Sequence, residues 1–120
     1  MTPSTNVTEE DLRKLKTVWR TIEAFRSIDP KMPSSYMAAF ISVAMEPGLG
    51  PTEYARRLGT HQAIASRVLL EIGPKSRLKD SGYGLVQVGI SNADMRAHSY
   101  ELTTKGRVLL QRLLDLQGNV

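Results

Sequence analysis

Between Arg56 and Lys79 the sequence gathers six cations, Arg56, Arg57, Arg67, Lys75, Arg77 and Lys79, against one carboxylate, Glu71. That local excess is larger than the +4 carried by the whole chain. Such side chains neutralise phosphates; a well-solvated surface is the plain alternative. Arg67 is the most specific of them. A guanidinium there can span guanine O6 and N7 with two parallel hydrogen bonds, Gln62 can pair bidentately with adenine, and Ala63 is small enough to admit a thymine methyl. Nucleophilic and metal chemistry find much less support. Ser66, His61 and Asp94 are the residue types of a hydrolytic triad, but no nucleophile elbow or glycine-rich loop accompanies them, so no catalytic residue is expected. His61 and His98 are isolated and cysteine is absent, which leaves no expected metal site, cofactor or disulfide.

Helices must position these groups. Thr8 with Asp11 three residues on reads as a capping box, with Val7 and Leu12 at the staple positions. Leu12, Leu15, Val18, Trp19, Ile22 and Phe25 then mark one face of a helix over 8–29, stopped by Asp29-Pro30. A second helix opens at Pro33, carries Tyr36, Met37, Phe40, Ile41 and Ala44, and ends at Pro47-Gly48. A short third helix runs from Thr52 to Leu58, with Gly59 placed to end it. Thr60 or His61 caps a fourth, whose apolar set is Ile64, Ala65, Val68, Leu69 and Ile72; Gly73-Pro74 ends it. Gln62, Ala63, Ser66 and Arg67 share the opposite, outward face. Lys75 to Gly84 reads as a basic loop. Two extended runs within 85–102, Leu85 to Ile90 and His98 to Leu102, make a hairpin. Thr103 then caps a helix over 103–117 with Val108, Leu109, Leu110, Leu113, Leu114 and Leu116 apolar.

This order predicts a mainly α chain with a small β-hairpin: a single winged helix-turn-helix domain over 1–120, its core at 33–102 and long helices at both ends. The 120 residues, 41% hydrophobic and 23% charged, suit one globular domain. No apolar run approaches the roughly 18 residues of a membrane span, and the first thirty residues lack a signal-like apolar core. A soluble cytoplasmic protein without a membrane partner is expected.

The wing carries Asp94-x-Arg96, followed at fixed spacing by Leu102-Thr103-x-Lys105-Gly106. With Pro47-Gly48, Leu58-Gly59 and Ser66-Arg67, this resembles the MarR-type (multiple-antibiotic-resistance) transcriptional regulators over about 33–114. Two departures stand out: an insertion of roughly ten residues at Pro74 to Tyr83, and a sequence that stops before the further dimerisation helix of many members. The resemblance implies a regulator, usually a repressor, that binds double-stranded DNA. It also implies that Arg96 probes a minor groove, and it leaves open a small-molecule effector between the first two helices and the last. A tip arginine gains from the negative potential of a narrow minor groove, and Asp94 can orient Arg96 or Arg67. Thr52 can offer its hydroxyl and neighbouring amides to a phosphate, or simply cap its helix. Arg57 is expected to contact phosphates.

The end helices carry more apolar surface than one packing face requires. A homodimer is therefore expected, joined through Leu12, Leu15, Trp19 and Ile22 of the first helix and Leu109, Leu110, Leu113 and Leu114 of the last. The competing reading is a winged helix that docks on another protein, or a phage or plasmid accessory factor.

Overall fold

The computed structural model describes residues 6–74, 82–90 and 98–118. Thr8 opens α1 (Glu9–Arg26) with the expected capping box. Its hydroxyl accepts from the Asp11 amide at 3.0 Å, while the Asp11 carboxylate accepts from the Thr8 amide at 3.2 Å. The helix stops three residues before Asp29, where the Ser27 and Ile28 amides turn to carbonyls of the last turn. α2 (Ser34–Met45) follows Pro33, and Gly48, at φ +91°, takes the chain out of it.

The next two helices form the helix-turn-helix. α3 (Pro51–Leu58) begins one residue before the expected Thr52. Pro51 takes the first helical position, where its missing N–H costs nothing, and the Glu53 carboxylate accepts from the Gly50 amide at 3.3 Å. Thr52 is thus the second residue of α3 and not its cap. Gly59, at φ +67°, ends the helix, and α4 (Gln62–Glu71) starts after His61, whose side chain makes no capping bond.

The hairpin pairs β1 (Val86–Ile90) with β2 (His98–Leu102) antiparallel, in register from Val86 opposite Leu102 to Ile90 opposite His98. α5 (Thr104–Gly118) completes the chain. Although fourteen residues, 72–85, separate α4 from β1, the excursion leaves and returns at one place. The Gly82 amide donates to the Pro74 carbonyl at 3.1 Å, Gly84 to Gly73 at 2.8 Å and Leu85 to Ile72 at 2.8 Å. The insertion therefore does not move the base of the wing, which stays fastened to the end of α4.

Side chains from every element but the outer strand positions meet in one core. Phe40, Val43, Tyr54, Leu69, Ile72, Leu85 and Val86 are fully buried within it. Phe25 stands edge-on to Phe40, 5.9 Å between centroids, and this contact fastens the C-terminal end of α1 to α2. The turn between α2 and α3 lies along β2: Gly48 donates to Tyr100 at 2.8 Å and Tyr100 to Leu49 at 3.1 Å. The fold is the expected winged helix-turn-helix, mainly helical with one small hairpin.

Candidate nucleic-acid interface

Tyr54 sets the first helix of the reading unit. It is fully buried, and its hydroxyl donates to the Glu46 carbonyl at 2.8 Å and accepts from the Leu49 amide at 3.3 Å. α3 is thereby tied to the turn before it, and burial raises the phenol's pKa against the opposing pull of the Leu49 amide. α4 rests on this frame through Ala65, Val68 and Leu69, with Ile72 just beyond its last turn.

The opposite side of α4 faces out. Gln62, Ala63 and Arg67 are exposed and Ser66 is half-buried, so the structure brings these four expected residues onto one face. Two details differ from the reading of the sequence. Ile64, expected inside, is 50% exposed, because it sits at the flank of the buried stripe and not within it. Leu70, which the sequence reading passed over, is exposed and extends the outward row of Ala63, Ser66 and Arg67 at spacings of three and four. The repeat was visible in the sequence, but an apolar residue beside Leu69 reads as core until the helix is docked.

Arg57 is exposed on α3 and already engaged. Its guanidinium donates to one Glu46 oxygen from two nitrogens, at 2.6 and 3.1 Å. Among the described residues no ion pair involves Arg56 or Arg67. Thr52 is exposed at the start of α3. Asp94 and Arg96, and the loop cations Lys75, Arg77 and Lys79, lie outside the described residues. Those residues also contain no cluster of three side chains suited to a metal ion, and no helix long and apolar enough to cross a membrane.

The end helices divide differently from expectation. Leu12, Leu15, Val18, Trp19 and Ile22 form one exposed stripe on α1, with Trp19 62% exposed. Leu114 is also exposed, and Leu110 is half-buried. Leu109 and Leu113, expected on a dimer surface, are instead core residues within the chain. The apolar set of α5 covers more than half its circumference, and periodicity cannot say which part its own chain covers. Between α1, α2 and α5 lies an open cavity of about 400 Å³, lined by Thr21, Phe40, Ile41, Ala44, Met45, Leu110, Leu113, Leu114 and Gln117, none of them charged.

No family model and no curated protein sequence matches the chain. Solved structures do. A MarR family transcription regulator aligns with 92% of this chain and 66% of its own at TM-score 0.62 and 17% identity. A MarR-like transcriptional regulator from Thermotoga maritima aligns with 89% of this chain and 74% of its own at TM-score 0.62 and 22% identity. BpsR from Bordetella bronchiseptica, described as having its DNA binding regulated by 6-hydroxynicotinic acid, aligns with 99% of this chain and 80% of its own at TM-score 0.57 and 15% identity. The first two of these similar structures are described as transcriptional regulators. The chain has the fold of the MarR-type winged helix-turn-helix transcriptional regulators.

Proposed function

We propose that the chain is a sequence-specific regulator of transcription that binds double-stranded DNA as a homodimer and represses by occupying a promoter, in the cytoplasm. The observation that carries this reading is the α3–turn–α4 unit. Its inner side is core, and its outer side presents Arg67 beside Gln62, Ala63, Ser66 and Leu70. In this mechanism α4 enters a major groove with Gln62, Ala63, Ser66 and Arg67 at the base edges. Thr52 and Arg57 hold phosphates, Arg57 exchanging Glu46 for the DNA. Arg96 of the wing is assigned to the adjacent minor groove, and Asp94 to orienting Arg96 or Arg67.

The exposed stripe of α1 supports the dimer. Five large apolar side chains on one face are a liability in a monomer, and a two-fold copy is the commonest way to cover them. Such a dimer presents two copies of α4 to successive major-groove turns about 34 Å apart. We assign a small-molecule effector to the cavity between α1, α2 and α5 because of its size and apolar lining; regulation of BpsR by 6-hydroxynicotinic acid supports the existence of an effector and not its place. The cavity's described lining is aliphatic and aromatic but for Thr21 and Gln117, so it favours an effector with a large apolar part.

Selection of bound sequences from a random duplex pool tests the reading. A two-fold site should emerge, bound with an affinity that falls steeply as salt rises. A chain that enriches no duplex and shows no DNA affinity at low salt is instead a protein-docking module.

A further inference from the structure

The outward face of α4 carries apolar as well as polar side chains. Arg67 is the only cation in Gln62–Glu71, and Glu71 the only carboxylate. Ala63 and Leu70 occupy the two ends of the row that Arg67 centres, and both are exposed. Leu70 also borders an apolar groove of about 360 Å³ between α4 and the hairpin, which it lines with Val88 and Tyr100. Leu70 thus borders the wing side of α4 and is itself 38% exposed. A hydrogen-bonding face would place amides, hydroxyls or guanidinium groups at these ends. What two aliphatic side chains recognise in a major groove is the one apolar group there, the thymine C5-methyl.

From this pattern we infer that Leu70 is a specificity-determining residue, and that with Ala63 it selects thymine methyls on either side of the base pair read by Arg67. The inference rests on the DNA-binding reading above and adds to it the chemistry of the half-site. Ala63 and Leu70 are seven residues apart, about 10 Å along the helix at 1.5 Å per residue. That is about three base pairs at 3.4 Å each. Each half-site therefore contains thymines about three base pairs apart, with the Arg67 guanine between them.

The test uses the full chain and the site selected from the random pool. Each thymine is replaced in turn by deoxyuridine, which deletes only the C5-methyl. Two positions per half-site, about three base pairs apart, should lose affinity about fourfold each, the change that burying one carbon-sized apolar group produces. Leu70→Ala should bind the thymine site more weakly and lose its response to deoxyuridine at one of those positions, while Arg67→Ala keeps that response. Wild-type protein that binds its site equally well with deoxyuridine throughout overturns the inference and leaves the regulator reading intact. So does Leu70→Ala protein that remains fully sensitive at both positions. A pool that yields no enriched duplex overturns both. Because the deoxyuridine arm changes only the DNA, it does not depend on the folding of any variant.

Discussion

Gly106 stands so close to Leu85 that a methyl group on its Cα would lie 2.1 Å from the Leu85 carbonyl oxygen. Around this contact the Thr103 hydroxyl donates to the Gly84 carbonyl at 2.6 Å and accepts from the Gly106 amide at 3.0 Å, while the Thr103 amide donates to Leu85 at 3.1 Å. The string Leu102-Thr103-x-Lys105-Gly106 is thus the joint that fixes the foot of the wing to the start of α5. Threonine caps the helix and grips the strand; glycine lets the two backbones touch.

Gly106→Ala should accordingly destabilise the fold. On an open helix the change would stabilise by up to about 1 kcal/mol, but here backbone must move, and a loss of about 1–3 kcal/mol is expected. Gly118, with open space where its Cβ would go, is the control and should show no loss on the same substitution. Urea unfolding of the two variants measures the difference, and equal stabilities would mean the joint is looser than its geometry.

Alkaline pH should weaken the fold through Tyr83. Its hydroxyl donates to the Asp29 carboxylate, joining the segment before β1 to the turn after α1. Burial first, and then the bond to Asp29, push its pKa from the usual 10.0 up to about 12. The folded chain keeps a proton that the unfolded chain loses, so this contribution is complete below the unfolded pKa and disappears as pH rises through the folded one. Tyr54 and Tyr100 are raised as well, chiefly by burial, and add to the same slope. Unfolding free energy should fall between about pH 10 and about pH 12, where Tyr83 ionises in the unfolded chain and keeps its proton in the folded one. Tyr83→Phe should reduce that fall without abolishing it; an unchanged slope would remove Tyr83 as a source.

Arg67 and Arg57 should behave differently. Arg67→Ala should cost roughly 1–3 kcal/mol of specific binding and relax the preference at one base pair. Arg57→Ala should weaken all sequences alike and, since its pair with Glu46 is half-exposed, change folding stability by less than about 1 kcal/mol. Competition binding with specific and random duplexes separates the two. An Arg67→Ala protein with unchanged sequence preference would displace α4 from its proposed role.

Local signals in the sequence were legible where neighbours along the chain decide the structure. Thr8 with Asp11, Pro47-Gly48 and Gly59 are set by backbone chemistry within a few residues, and each marks an element boundary. Partners far apart in sequence were not legible. Nothing near Arg57 announces Glu46, and Leu109 and Leu113 look like Leu114 until α1 and the base of the wing cover one side of α5. The outward face of α4 was legible through Gln62, Ala63, Ser66 and Arg67, but Leu70 needed the docked helix to show which way it points.

The dimer is best tested on α1, because burial excludes the obvious targets on α5. An aspartate at Leu113 would enter the core and unfold the chain, which says nothing about association. Leu15 and Trp19 are 53% and 62% exposed and lie on the same stripe, so a charge at either costs the isolated chain little, within about 0.5 kcal/mol. In a dimer the same charge would be buried against a second copy and left without a partner. Leu15→Asp and Trp19→Asp should therefore stay folded by circular dichroism and sediment as monomers where the wild type sediments as a dimer. They should also bind a two-fold site far more weakly than the wild type, while a single half-site binds all three alike. Sedimentation of the wild type as a monomer at tens of micromolar would set α1 aside as the dimer surface, since a stripe of five aliphatic and aromatic side chains has to associate well below that concentration to be covered at all.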